Sequence, residues 1–167
     1  MRHQVKAKQH NSTMCLVCGL ENPHGLRTSF YELDNNELLA IYHPCKEHQG
    51  YPGRLHGGIA ATLLDETIGR AIMILSSEIW GVTLEISTRY RKPVPLDGEL
   101  RVVGRVIKET QRSFEGTGEI LLPDGSVAVE GRGKYFKMAL DQITDSDLEG
   151  MVWKVNPTGD DPQSFEL

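Results

Sequence analysis

Arg54 to Ala71 reads RLHGGIAATLLDETIGRA, and the fold turns on this stretch. From Arg54 to about Leu75 the apolar residues Ile59, Ala60, Leu63, Leu64, Ile68, Ala71, Ile72 and Leu75 recur at steps of three and four, which is the helical period. They cover much of the helix circumference, so the helix is expected to be buried on most sides. Two features sit oddly in such a helix. It opens with His56-Gly57-Gly58, and it carries Asp65 and Glu66 in its apolar middle, where a carboxylate is costly to bury without partners.

The flanking sequence reads as strands. LRTSFYEL (26–33) and ELLAIYH (37–43) precede the helix, joined by a turn at Asp34-Asn35-Asn36. Four more follow it. VTLEISTRY (82–90) alternates, with Val82, Leu84, Ile86, Thr88 and Tyr90 on one face and Thr83, Glu85, Ser87 and Arg89 on the other. ELRVVGRVIKE (99–109) comes next, then SFEGTGEILL (113–122) and SVAVEGRGKYF (126–136) around the turn Pro123-Asp124-Gly125. Two strands, one long buried helix and four strands form an α+β pattern. The short turns make the sheet antiparallel, and a sheet must bury one face, so it is expected to wrap the one long helix.

The 167 residues suffice for one domain. Apolar residues are 39% and charged residues 25%, and the net charge is −5, which disfavours nucleic acid as a main partner. No apolar run has the roughly 18 residues of a membrane span, and MRHQVKAKQHNSTM at the start has no signal-peptide core. Three cysteines fit a reducing compartment better than a disulfide framework, so a cytoplasmic location is expected. Residues 1–14 read as a flexible arm and 141–167 as an acidic extension, in which ITDSDLEGMVW (143–153) suggests one short helix and the last ten residues a tail.

The first N–H groups of a helix lack internal partners and carry the positive dipole end. Two glycines there let a ligand approach closely, to bind an anion or polarise a carbonyl oxygen; equally, they let the helix pack tightly on a strand. His56 reads as a base, a cap or a backbone-bonding group. Asp65 reads as a carboxylate with a shifted pKa or as one satisfied by an arginine. Gly57 and Asp65 are eight residues apart, about 12 Å along the axis at ~1.5 Å per residue. An attacking group must come within about 3–3.5 Å of its carbon. If both act on one carbonyl, they come from two chains related by a two-fold axis.

HGGIAATLLDE, GVTLEISTRYRKPVP, HQGYPGRLHGG and PDGSVAVEGRGKYF together, over about residues 15–136, are similar to the hotdog-fold thioesterases of the PaaI and THEM type. The opening CLVCGLENPHGL (15–26) resembles the start of many of that family. The resemblance implies an antiparallel sheet curled round one helix over residues 15–140, a homodimer or dimer of dimers, and hydrolysis of acyl-CoA at the dimer interface without a cofactor. It implies that Asp65 is nucleophile or general base and that the backbone at Gly57 or Gly58 polarises the thioester. It further implies that Thr83, or alternatively Ser87, positions water, that Gln49 stands near the site, and that His56 is structural or supporting. CoA phosphates call for basic groups, for which Arg91 and Lys92 are the candidates, and Leu64, Ile68 and Ile72 are candidate pocket walls. The alternative on the same fold is an acyl-CoA sensor or carrier without turnover; a dehydratase or hydratase is disfavoured by the HGG-then-Asp pattern.

Cys15-x-x-Cys18 has half of a zinc pattern, with Cys45, His24, His43 or His48 available to complete it. The second pair is loosely spaced for a four-ligand site, and no metal is expected.

Overall fold

The computed structural model describes residues 1–144 and 153–167. The strands are β1 (Arg2–Lys8), β2 (Ser29–Leu33) and β3 (Leu38–Tyr42), then helix α1 (Gly57–Arg70), then β4 (Trp80–Tyr90), β5 (Leu100–Glu109), β6 (Ser113–Leu121) and β7 (Val127–Met138), a helical turn α2 (Leu140–Ile143), and β8 (Ser164–Glu166). They make one eight-stranded sheet in the order β4-β7-β6-β5-β3-β2-β1-β8, antiparallel at every pairing. The sheet curves around α1, which packs on β3 to β7. This is the hotdog fold.

Helix α1 ends at Arg70, and Ala71–Ile74 tightens into a 3-10 turn, so the helix is shorter than its apolar pattern. Leu63, Leu64, Ile68 and Ile72 are fully buried with Phe30, Tyr42, Phe114 and Tyr135. The helix lies close to the sheet because the strands under it carry glycine. A Cβ on Gly116 would stand 2.5 Å from Ile68 Cγ2, one on Gly104 2.8 Å from the Thr67 carbonyl, and one on Gly81 2.7 Å from the Gly69 carbonyl.

The chain ends differ from expectation. Residues 2–8, read as part of a flexible arm, pair with β2 and with β8, and Phe165, in the expected tail, is buried with Tyr31, Leu33, Leu39 and Val103 on the face of the sheet away from α1. Lys8 and Asp161 pair at 2.6 Å. The sequence RHQVKAK offers one apolar contact to the Phe165 cluster, Val5, and is otherwise held by backbone pairing. The helix suggested over 143–153 lies mostly on residues outside the described ones.

A bulge between Thr83 and Glu85 changes the face assignment in β4. Gly81 and Thr83 face the helix before it, and Tyr90 faces it after it, donating to the Gly57 carbonyl at 2.6 Å. The extra residue inverts the alternation, so Thr83 shares a face with Tyr90, contrary to a strict period of two.

Candidate active site

The site grows from the middle of α1. Asp65 sits on the half-buried flank of the helix that meets β4 and β7. Its Oδ1 accepts a hydrogen bond from Thr83 Oγ1 at 2.9 Å and another from Tyr135 Oη at 3.2 Å. Burial pushes the Asp65 carboxyl above its ordinary range, the bonds from Thr83 and Tyr135 pull it back, and Glu66 adds repulsion. A cavity of about 70 Å³ opens beside it, lined by Asp65, Glu66, Met73, Trp80, Gly81 and Thr83 among others.

Glu66 takes the next direction round the helix and pairs with Arg70 Nε at 2.7 Å. Arg70 is almost wholly buried; it also donates to the His10 carbonyl and to Cys18 Sγ, each at 3.0 Å, and lies over the Phe30 ring at 4.5 Å. The i to i+4 pair thus fixes the helix to the N-terminal segment.

At the helix start, His56 is the N-cap: its Nδ1 accepts from the Gly58 N–H at 2.9 Å. That occupies the Gly58 donor. No partner for the Gly57 N–H is found among the described residues, so of the two glycines Gly57 keeps a donor free. A substituent on Gly57 would stand 3.5 Å from the Tyr90 ring.

The remaining expected residues are placed as follows. Gln49 is exposed and its Oε1 accepts weakly from Gly53 N at 3.4 Å; it lines a broad depression of about 820 Å³ with Cys45 and Leu96. This hollow and others exceed the one at Asp65 in size; the small one is distinguished by a half-buried carboxylate held by two hydroxyls, whereas Glu119, which lines another hollow, is paired with Arg105. Arg91 is exposed and paired with Glu130 at 2.7 Å, and Lys92 is exposed. Leu64 and Ile68, expected as pocket walls, are instead fully buried against glycine-bearing strands; Met73 and Trp80 line the cavity in their place. Ser87 lies across the bulge, paired with Arg132 on β7, and does not join Thr83 at Asp65.

Tyr135 was not singled out in the sequence. Its signal was the alternation Gly131, Gly133, Tyr135 in β7, where small residues clear room for a large one: a Cβ on Gly133 would stand 2.5 Å from the Tyr135 ring. Among the described residues, Cys15, Cys18 and Glu66 alone bring three ligating atoms within 4.8 Å of one another. Cys45 lies against His48 Nδ1 at 3.2 Å, in a different cluster.

A family model described as Thioesterase superfamily matches residues 52–129, which include Gly57, Asp65 and Thr83. The chain is 34% identical over 115 residues to rat acyl-coenzyme A thioesterase THEM4, covering 69% of this chain and 45% of that protein. It resembles a solved thioesterase superfamily protein with a TM-score of 0.68 at 30% identity, over 73% of this chain and 59% of that one. A thioesterase protein from Streptococcus pneumoniae, solved with coenzyme A, shares the fold at a TM-score of 0.57 and 23% identity, over 62% of this chain and 82% of that one. The chain spans about half the length of the curated relatives it matches. With an antiparallel sheet around one helix, the chain is a hotdog-fold protein. Over residues 52–129 it matches the thioesterase superfamily. No helix among the described residues is long and apolar enough to cross a membrane.

Proposed function

We propose that the chain hydrolyses acyl-CoA thioesters to a free acid and CoA, at sites shared between two copies of itself. The observation that carries this reading is Asp65: a half-buried carboxylate, oriented by Thr83 and Tyr135, facing a cavity. A structural carboxylate gains nothing from an open side, whereas an attacking group requires one.

Asp65 either draws a proton from water or attacks the thioester carbon itself. In the first route Thr83, which donates to Oδ1, also stands where it can orient that water. The carbonyl oxygen gains negative charge as the carbon becomes tetrahedral, and the free Gly57 N–H at the positive end of α1 is suited to donate a hydrogen bond to that oxygen. The C–S bond then breaks and CoA leaves as a thiolate, which takes up the proton that Asp65 drew from water; in the second route water then opens the acyl–Asp65 anhydride to release the acid and restore the carboxylate. His56 supports this by capping the helix, which holds Gly57 in place. Arg91 and Lys92, at the end of β4, are the groups proposed to meet CoA phosphates, with Arg91 exchanging Glu130 for phosphate. Gln49 is proposed to line the entry.

The roughly 12 Å between Gly57 and Asp65 along one helix requires the donor of one chain to meet the carboxylate of another. Strand β4 stands at the end of the strand order; its outer edge offers unpaired backbone groups to a second β4. Two-fold pairing there would run the two helices antiparallel and create two equal sites.

The test is release of free CoA from short, medium, long and aromatic acyl-CoAs, followed by a coupled assay that does not detect the protein's own thiols. Turnover with at least one class is expected. Binding of acyl-CoA with no turnover across the panel would overturn the hydrolase reading in favour of a carrier or sensor.

A further inference from the structure

We propose that Cys15, Cys18 and Glu66 hold one zinc ion, with water as the fourth ligand. The loop that carries the cysteines is built around the first sulfur. Val17 N–H and Cys18 N–H both donate to Cys15 Sγ, at 3.3 and 3.4 Å, so two backbone dipoles converge on one sulfur. The turn closes with Gly19 N–H on the Cys15 carbonyl at 2.9 Å. A Cβ at Gly19 would stand 2.3 Å from that carbonyl oxygen, so C-x-x-C-G is the sequence this turn demands.

The ligating atoms of Cys15, Cys18 and Glu66 lie within 4.8 Å of one another. A tetrahedral zinc with Zn–S near 2.3 Å and Zn–O near 2.0–2.2 Å needs ligand separations of about 3.5–3.8 Å. From separations of up to 4.8 Å the three atoms need to close by at most about 1.3 Å, within reach of a side-chain adjustment. Two thiolates with one carboxylate favour zinc over magnesium or calcium, which take oxygen alone. Cys15 and Glu66 are only partly buried, which leaves a way in for the ion and its water.

Charge explains the buried arginine beside the site. Arg70 touches Glu66 and Cys18 together. Two thiolates and a carboxylate carry three negative charges; a divalent ion and the guanidinium carry three positive ones. Arg70 then serves as an outer partner, donating to a ligand sulfur and a ligand carboxylate at once, and the buried cluster is neutral. The ion would tie the N-terminal loop to the turn of α1 that carries Asp65. Binding by these residues does not depend on the hydrolytic reading.

The full chain, expressed with zinc in the medium and purified without chelator, is assayed by elemental analysis and native mass spectrometry. About one zinc per chain is expected. Cobalt added after zinc removal should give a sulfur-to-metal charge-transfer band. Cys15→Ser and Cys18→Ser should abolish both signals, Glu66→Gln should weaken affinity by about tenfold or more, and Cys45→Ser should retain both. Should Cys18→Ser fail to fold, the Glu66 and Cys45 variants still decide. A metal-free chain that takes up no cobalt, zinc that survives Cys15→Ser, zinc lost in Cys45→Ser, or a chain two hydrogens lighter from a Cys15–Cys18 disulfide would each overturn the proposal.

Discussion

Replacing Tyr135 with Phe removes the hydroxyl that is shared between Asp65 Oδ1 and the Asp65 backbone carbonyl, each at 3.2 Å. Tyr135 Oη reaches Asp65 Oδ1 at 3.2 Å, and Thr83 keeps its own bond at 2.9 Å. A hydrogen bond to a charged group is worth about 1.5–3 kcal/mol. At 1.36 kcal/mol per tenfold change in protonation, that would displace the titration by about one to two pH units. The 3.2 Å contact is longer than the usual charge-assisted bond, and solvent screens a half-buried carboxylate, so about one pH unit is the expected size. The sign follows from which form is bonded: the tyrosine hydroxyl stabilises the carboxylate, so its loss makes Asp65 harder to ionise. The acidic limb of the kcat/KM profile for CoA release should therefore move to higher pH in Tyr135→Phe, with little loss on the alkaline plateau. Below the limb the variant should be about tenfold slower than the parent, the same unit expressed as a rate. An unmoved limb, or one moved to lower pH, would refute the account of how Asp65 is held.

Other outcomes follow from the same geometry. Burial raises the folded-state pKa of Asp65, so the stability carried by its protonated form is complete below the ordinary carboxylate range and lost as pH rises through the raised value; Asp65→Asn should melt higher than the parent at neutral pH, and the gap should narrow on acidification in a thermal melt. His56→Ala removes the cap on Gly58 and should cost about 1 kcal/mol in a denaturant titration, while His56→Asn, another capping residue, should recover most of it. Gly116→Ala places a Cβ 2.5 Å from Ile68 and 2.8 Å from the Arg105 carbonyl; the misfit should destabilise the fold by about 1–3 kcal/mol in the same titration.

The helix and the six strands β2 to β7 were legible because each carries an apolar period matched to one buried face. Asp65 stood out for the same reason, as a charge inside that period. What escaped the sequence had no period to show. Strand β1 is mostly polar, with Val5 its one apolar contact to the Phe165 cluster, and is held largely by backbone pairing; β8 is three residues long, with Phe165 its one buried side chain. The bulge after Thr83 inserts one residue with no compositional mark, so a reading by twos put Thr83 on the face opposite Tyr90. Tyr135 lies 70 residues beyond Asp65 and meets it only through the curl of the sheet. Leu64 and Ile68 have the character of pocket walls, but the glycines that bring the strands against them are on other strands.

The central claim is that Asp65 of one chain and the helix start of another share one reaction, and subunit mixing tests it most directly. Asp65→Asn and Gly57→Val are prepared separately and co-expressed, and CoA release is measured for each and for the mixed dimer. Each variant alone should be inactive. The mixed dimer should regain activity, because one of its two sites combines the intact Asp65 of one chain with the intact Gly57 of the other. A mixed dimer as inactive as its parents, when the unaltered chain turns over, would contradict the shared site; full activity in Asp65→Asn alone would contradict the role of the carboxylate.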